Sequence, residues 1–227
     1  MKALSPADIL RIWEEGEARH PLDRALLPLA AALPDWTWPE LASLSVGRRD
    51  GLLLRLRELT LGAQLEMLAS CPHCRELMEF EADAGELCVS DPTREPRPAP
   101  DPLRRLHSQD LAAAVAAGRQ AARGALAARS VGLKSTPPDE LSAEVAAALV
   151  RCDPQADIRF SLACPACGHA WSAVFDIADY FWRELSGLAR RLLDEVQELA
   201  AFYGWREADV VEMSAVRRRH KIGRAHV

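Results

Sequence analysis

The chain has 227 residues, enough for one large domain or two small domains with a buried core. Its net charge is −5 and its lysines and arginines are scattered, which argues against the clustered positive charge on which nucleic-acid binding depends. No apolar run approaches the roughly 18 residues of a membrane span, and the first residues lack the apolar stretch of a secretory signal. We therefore expect a cytoplasmic protein with reduced thiols.

Residues 1–62 are predicted to form an N-terminal helical region. Ser5 is a suitable N-cap for a helix over residues 5–16, because Pro6 follows it at the first helical position. The apolar run of residues 22–33 predicts a second helix, bounded by prolines.

The segment of residues 48–60 predicts a longer helix, which ends at Gly62. Its predicted apolar stripe contains Leu52, Leu56 and Leu59. Because Leu52, Leu53 and Leu54 are consecutive, at least one of them faces away from a core that covers only one side. The helix is therefore either buried on two sides within its own domain or packed against a second partner.

Two cysteine pairs lie in segments with the alternating apolar and polar residues of β-hairpins. Residues 63–84 contain the turn Cys-Pro-His-Cys at positions 71–74, and residues 156–177 contain Cys-Pro-Ala-Cys at positions 164–167. The shared order of strand, Cys-Pro-x-Cys turn and strand makes these two hairpins an internal repeat.

The segment between the hairpins, residues 85–155, is predicted to hold a proline-rich linker and then an alanine-rich helical insertion. Two short helices separated near Gly118 are expected in the insertion. A third helix is expected to begin at Pro137 and Pro138.

Residues 178–220 are predicted to form C-terminal helices, the first of which ends at Gly204. Residues 221–227 interrupt the last helix and contain Ile-Gly-Arg-Ala-His-Val, which one frame of a common sequencing adapter encodes. We predict that they are adapter read-through, and we assign no function to them.

The four paired cysteines predict one structural zinc site. Zinc takes four sulfur ligands in a tetrahedron at about 2.3 Å each, and a filled four-thiolate site leaves no open position for catalysis. Cys74 and Cys164 are 164 − 74 = 90 positions apart, whereas typical ribbons separate their turns by about 15 to 20 residues. The long gap is acceptable because loop-closure entropy grows slowly with length. The predicted ligands are Cys71, Cys74, Cys164 and Cys167.

These elements together predict an α+β fold that is mostly helical. It contains a small antiparallel zinc-ribbon-like sheet built from the two Cys-x-x-Cys hairpins, with a helical insertion and flanking helices.

Other uses of these cysteines are weaker hypotheses. Thioredoxin-like redox chemistry needs a cysteine pair that opens a helix beside a βαβ unit, and disulfides are rare in a reducing compartment. A degenerate ribbon without metal is the third alternative. His73 and His169 flank the turns, but four cysteines already complete the ligand set. Cys88 and Cys152 lie outside the pairs and are interpreted either as small apolar core residues or as chance occurrences.

The motifs of common enzymes do not occur in the sequence. It has no glycine-rich phosphate loop, no serine elbow and no His-Glu-x-x-His helix. His20 and His107 are isolated from any nucleophile in the sequence. We therefore expect a protein that is not an enzyme.

Several sequence blocks in a fixed order resemble one known family. These are GRRDGLLLRLRELTLG before the first cysteine turn, LHSQDL in the insertion, and DPQADIRFSLACPACGHAW, FDIADYFW and EVQELAAFYGWREADVVEMS in the C-terminal half. In this order they resemble the T-even-phage-type baseplate hub assembly chaperones of contractile phage tails and contractile injection systems. The resemblance implies a virion-assembly factor whose partners are hub, spike or other structural proteins of the tail.

Charged residues at the start of the helix over residues 48–60 either form a charge network there or bind such a partner. Tryptophans near the second hairpin and the C-terminal helices either pack within the fold or, where exposed, anchor an interface. The candidates are Arg48, Arg49, Asp50, Arg57, Trp182 and Trp205. The alternative function is a zinc-ribbon module that binds nucleic acid or acts in transcription. It would need a basic face, but the strands of the first hairpin carry several acidic residues.

Overall fold

The computed structural model describes residues 1–89, 91–93, 103–118, 120–132 and 142–225. In these ranges the chain is mostly helical, with two small antiparallel sheets, which agrees with the predicted α+β class. The N-terminal helices are α1 (Pro6–Gly16), α2 (Pro21–Arg24), α3 (Leu27–Ala32), α4 (Trp38–Ala42) and α5 (Val46–Leu61).

Local capping and proline geometry set the limits of the first helices. The Ser5 hydroxyl accepts a hydrogen bond from the Asp8 amide and the Asp8 carboxylate accepts one from the Ser5 amide, which confirms the predicted N-cap. The prediction of a single helix over residues 22–33 is wrong. Pro28 has no amide to donate to the carbonyl of Arg24 and its ring clashes with that carbonyl, so α2 ends at Arg24 and α3 begins at Leu27.

Helix α5 is buried on more than one side. Leu52, Leu53, Leu54 and Leu56 are each at most 4% exposed, and α5 packs against α3 and against the long C-terminal helix described below. Burial on two sides within the chain, one of the two alternatives for the three consecutive leucines, is therefore confirmed. Leu59, predicted in the apolar stripe, is 42% exposed.

The cysteine segments form two hairpins, as predicted. Strand β1 (Gln64–Ser70) pairs with β2 (Leu77–Asp83), and β3 (Arg159–Ala163) pairs with β4 (Ala170–Val174), both antiparallel. The two hairpins are separate two-stranded sheets, not the single sheet that we expected. Their strands meet through side chains, with the rings of Phe80 and Phe160 5.3 Å apart, and no backbone ladder joins them in the described part of the chain.

The insertion between the hairpins is helical. Its helices are α6 (Ser108–Ala117), α7 (Ala122–Ser130) and α8 (Ser142–Cys152), and Gly118, with φ of 82°, ends the first of them. The predicted start of the third helix at Pro137 and Pro138 lies outside the described residues. The insertion is attached to the start of α5, because the Val46 amide donates to the Leu106 carbonyl at 2.8 Å and the Gly47 amide donates to Asp153 Oδ2 at 3.0 Å.

The C-terminal helices are α9 (Ile177–Tyr203), α10 (Glu207–Val211) and α11 (Ala215–Ala225). Helix α9 buries one apolar stripe and ends at Gly204, whose left-handed φ of 68° suits glycine. The prediction that residues from 221 onward interrupt the last helix is wrong for residues 221–225, which continue α11. No helix in the described ranges has both the length and the apolar character needed to cross a bilayer.

The buried core lies between α1, α3, α5, β1 and α9. Strand β1 contributes Leu65 and Met67 to it, so the first hairpin is held by the core on one face. Arg57 of α5 is 4% exposed and connects α5 to α9 and to the start of β1. Its guanidinium donates to both carboxylate oxygens of Glu184 on α9, at 3.0 and 2.7 Å, and to the backbone carbonyls of Gly62 and Gln64.

We expect Arg57→Ala to lower the free energy of unfolding by about 3 kcal/mol, because it leaves Glu184 and two carbonyls without their donor. Arg55→Ala, on the same helix, removes a 48% exposed side chain whose ion pair within the described residues is with Glu58, and it should cost less than about 1 kcal/mol. Urea denaturation of the metal-loaded chain measures both values. Equal losses in the two variants would contradict this account of Arg57.

Candidate metal centre

The two hairpins bring four cysteine sulfurs into one cluster. The Sγ atoms of Cys71, Cys74, Cys164 and Cys167 all lie within 4.8 Å of one another. Across the hairpins, Cys71 Sγ is 3.7 Å from Cys167 Sγ and Cys74 Sγ is 3.5 Å from Cys164 Sγ. A metal about 2.3 Å from four tetrahedral sulfurs would set them about 3.8 Å apart. The arrangement therefore fits a four-coordinate metal ion.

Each turn has the same backbone hydrogen bonds. The first cysteine of the turn donates its amide to the carbonyl five positions later, and its carbonyl accepts from the amide four positions later. At 2.9 Å each, these bonds are Cys71 N to Glu76 O, Cys164 N to His169 O, Arg75 N to Cys71 O, and Gly168 N to Cys164 O. The internal repeat in the sequence is thus also a repeat in geometry.

The residue after each second cysteine has a left-handed backbone. Gly168 has φ of 72° and Arg75, at the equivalent place in the first turn, has φ of 66°. No other non-glycine residue in the described ranges has positive φ. The cost of this conformation for a residue with a Cβ is about 1 kcal/mol. Aligning the two turns in the sequence places Arg75 opposite Gly168, which indicates the left-handed backbone. The sequence analysis did not predict this conformation.

The site lies at the surface with two ligands on its inner side. Cys71 and Cys164 are 1% and 3% exposed, whereas Cys74 and Cys167 are exposed. The rings of His73 and His169 stack on each other 5.6 Å apart, and neither histidine belongs to the ligand cluster found among the described residues.

Electrostatic coupling makes Cys71 and Cys74 unequal proton donors. Burial opposes ionisation of Cys71, but hydrogen bonds from the backbone amides of Cys74 and His73 outweigh it and lower the pKa of Cys71 to about 6. The backbone amide of Glu76 favours the thiolate of Cys74. The hydrogen bonds of the Cys74 thiol with the neighbouring thiols nevertheless raise the pKa of Cys74 to about 12. One thiolate therefore forms readily, and a full set of four needs a compensating positive charge, which a bound metal supplies.

The other two cysteines lie apart from the cluster. Cys88 and Cys152 are partly exposed, so neither is a fully buried core residue. Burial is still sufficient to raise the pKa of the Cys88 thiol. All six cysteines are free thiols. Both clustered pairs lie in turns between strands, which differs from the helix N-terminus that a thioredoxin-like pair requires.

The predicted partner-binding arginines are largely used inside the chain. Arg49 is 5% exposed, pairs with Asp50 at 2.7 Å and donates to Ser108 Oγ at 3.3 Å. Arg57 is buried in the contacts described above. Arg48 is half-buried; it lies over the Trp36 ring and donates to the Pro92 carbonyl. These residues therefore join parts of the chain, and Arg49 and Arg57 offer no surface to a partner.

The remaining candidates also have contacts within the chain. Burial raises the pKa of Asp50 to about 6, although Arg49 opposes the shift. Trp182 is half-buried against the backbone of Gly16 and under the guanidinium of Arg24. Trp205 stacks on Tyr203 with ring centroids 4.4 Å apart. The candidates lie at several separate places in the fold and do not form one surface.

We expect the metal-loaded chain to contain one metal ion, and Cys74→Ser or Cys164→Ser to lose it, since three sulfurs cannot complete the tetrahedron. Cys88→Ser and Cys152→Ser are the matched controls and should retain full metal content. Elemental analysis of the purified variants measures the stoichiometry. Metal retained by Cys164→Ser at the level of Cys152→Ser would exclude this ligand set.

We also expect Gly168→Ala to destabilise the chain by about 1 kcal/mol, because a Cβ there meets open space and only the left-handed backbone opposes it. Arg75→Gly removes the same strain from the first turn and should not destabilise the chain. Thermal unfolding with bound metal compares the two variants. A loss of stability in Arg75→Gly as large as that in Gly168→Ala would argue against equivalent turns.

Comparison of the chain with protein-family models, with curated proteins and with solved structures gave no match. The assignment of a metal-binding cluster therefore rests on the geometry and chemistry of the four cysteines.

Proposed function

We propose that this chain is a non-enzymatic assembly chaperone for the baseplate hub of a contractile phage tail or a phage-tail-like injection system. In this proposal it acts in the cytoplasm, holds a structural zinc ion, and binds hub, spike or other tail structural proteins during assembly. Neither nucleic acid nor a membrane is a partner.

The observation that carries this proposal is that the blocks of the resemblance contact one another. The first block contains Gly47, whose amide donates to Asp153 of a later block. It also contains Arg49, which donates to Ser108 of the insertion block. Arg57 of the first block pairs with Glu184, which follows the FDIADYFW block on α9. Residues that share a family pattern because they build one common fold are expected to be mutual contacts of this kind.

The ligand set favours zinc over other metals. Four thiolates in a tetrahedron suit zinc or iron, whereas calcium and magnesium prefer oxygen ligands. Zinc has no redox chemistry and needs no open coordination position to stabilise a fold. It therefore suits a chain in which the metal joins two hairpins.

The charge of the first hairpin counts against the nucleic-acid module. Strand β2 exposes Glu79 and Glu81, and Glu66 of β1 lies directly opposite Glu81 in the register. A phosphate backbone is repelled by such a face. An assembly role therefore agrees better with this surface than a role in transcription.

Co-expression with hub and spike proteins of a contractile tail tests the proposal. We expect a tagged chain to retain a hub component on an affinity column, and Cys164→Ser to retain far less because its two hairpins are no longer joined. Cys152→Ser is the matched control. If the intact chain retained no tail structural protein, the proposed role would be wrong.

The identity of the metal is tested by a separate measurement. Elemental analysis should find zinc in the purified chain, and a strong chelator should lower its melting temperature by several degrees because structural zinc stabilises only the folded state. A red iron-containing chain, or melting that does not respond to the chelator, would contradict a structural zinc ion.

A further inference from the structure

A groove of about 510 Å³ separates the two hairpins at the start of α9. One wall is the stretch of β1 from Glu66 to Ala69, and the opposite wall is the end of β4 with the residues that follow it. Four aromatic rings line its floor, in the order Phe80, Phe160, Phe175 and Tyr180. The centroids of neighbouring rings in this order are 5.3, 5.7 and 5.5 Å apart. We call this space the hairpin groove.

Large apolar side chains stand exposed on both walls of the hairpin groove. Leu68 of β1 is 65% exposed and Val174 of β4 is 63% exposed. Each projects from the exposed face of its hairpin, whereas Phe80 and Phe160 lie on the partly buried faces. Together with the rings of the floor, they make an apolar channel that is open to solvent at its walls.

The outer edge of β1 faces this groove. The bonds from Cys71 N to Glu76 O and from Ala84 N to Ala63 O set the alternation of the β1–β2 ladder. By that alternation the amides and carbonyls of Glu66, Leu68 and Ser70 point away from β2. The hydroxyl of Tyr180, which lines the groove, donates to the Glu66 carbonyl at 3.0 Å, so this edge does point into the groove.

Beyond Glu66, the same edge of β1 is open to hydrogen bonding at Leu68. Among the described residues no hydrogen bond satisfies the outward amide and carbonyl of Leu68. An unpaired edge of this kind is a template for another extended chain, because each outward amide and carbonyl pairs with the backbone of an added strand. The edge thus offers main-chain bonds beside an apolar floor.

The walls of the groove are acidic. Glu66, Asp176, Asp179 and Glu184 line it, against Arg183 as the only basic lining residue among those described. Asp179 forms an ion pair with Arg183, and Glu184 forms one with Arg57. The carboxylates of Glu66 and Asp176 therefore remain as excess negative charge. Glu79 and Glu81 add to it on the neighbouring face of β2. The groove therefore favours a ligand with positive charge.

We infer that the hairpin groove binds an extended, basic and apolar segment of a partner protein, which adds as a strand to the outer edge of β1. The edge supplies backbone hydrogen bonds, the aromatic floor takes alternate apolar side chains, and the acidic walls select lysine or arginine between them. This inference rests on the proposed function only for the identity of the partner, and it adds the chemistry of the segment that the partner would present.

Fluorescence anisotropy with a defined peptide tests this inference on the full metal-loaded chain. The probe is a blocked, fluorescein-labelled peptide of about ten residues with alternating valine and lysine, long enough to span a strand. We expect saturable binding that weakens as salt is added, and binding at least about tenfold weaker for the same peptide with glutamate in place of lysine. Equal binding of the two peptides would overturn the charge argument.

Backbone pairing is tested with the same peptide carrying methylated amides at every second residue. Methylation removes the donors that an added strand needs and leaves the side chains in place, so we expect loss of at least about tenfold in affinity. Unchanged affinity for the methylated peptide would overturn strand addition.

The matched pair of protein variants is Leu68→Lys and Leu77→Lys. Leu68 lines the groove, whereas Leu77 of β2, which is 59% exposed and pairs with Ser70 beside the cysteine turn, does not. We expect Leu68→Lys to weaken binding of the valine–lysine peptide at least about tenfold and Leu77→Lys to change it less than about twofold. Because both side chains are exposed, both variants should keep their metal and their melting temperature. Equal effects of the two variants would place the peptide elsewhere.

The two proposals fail separately. If the chain binds the valine–lysine peptide but retains no tail protein on co-expression, the groove assignment stands and the assembly role fails. If it retains a hub component but no probe peptide binds at Leu68, the assembly role stands and the groove assignment fails.

Discussion

The sulfur cluster joins two parts of the chain that are 90 positions apart, with 3.5 Å between Cys74 Sγ and Cys164 Sγ. An isolated two-stranded hairpin is marginally stable in water, and the second hairpin contributes no strand residue to the fully buried core. A metal held by two ligands from each hairpin would supply the stability that neither backbone ladder can. The position of every helix between the hairpins is constrained by this closure, since the insertion must leave β2 and return to β3.

Buried arginines form a second set of long-range connections. Arg57 joins α5 to α9 through Glu184, and Arg49 joins α5 to the insertion through Ser108. Within the insertion, Asp110 accepts two hydrogen bonds from Arg104 and one from Arg129, which lowers the pKa of Asp110 to about 2 despite its burial. Arginine suits these places because its planar group donates several bonds at once and keeps its charge when desolvated. The conspicuous arginines of α5 are thus part of the framework of the fold.

The separation of the two hairpins has a functional consequence. A single continuous sheet would have paired the edge of β1 with another strand of the chain. Because no backbone ladder joins the hairpins in the described part of the chain, that edge and the space beside it stay open. In the proposed metal-bound state, the open strand edge of β1 would hold an extended segment of another protein.

The sequence by itself determined the local elements and the ligands. Alternation around each Cys-Pro-x-Cys turn predicted the hairpins, and the spacing and number of thiols predicted the four-sulfur cluster. The apolar stripe that ends at Gly204 predicted α9, because helix periodicity and a glycine cap are local properties of the chain. The break at Pro28 was equally local, although the prediction overlooked it.

Only the tertiary structure decided what the long-range partners are. Nothing in the local pattern distinguishes Arg57, which is buried against Glu184, from Arg55, which is exposed on the same helix. In the same way, Leu53 and Leu54 are buried because α5 is enclosed by other elements, while Leu59 is left in solvent. Burial and pairing of this kind depend on residues more than 100 positions away, as between Arg57 and Glu184, and periodicity within one helix carries no information about them.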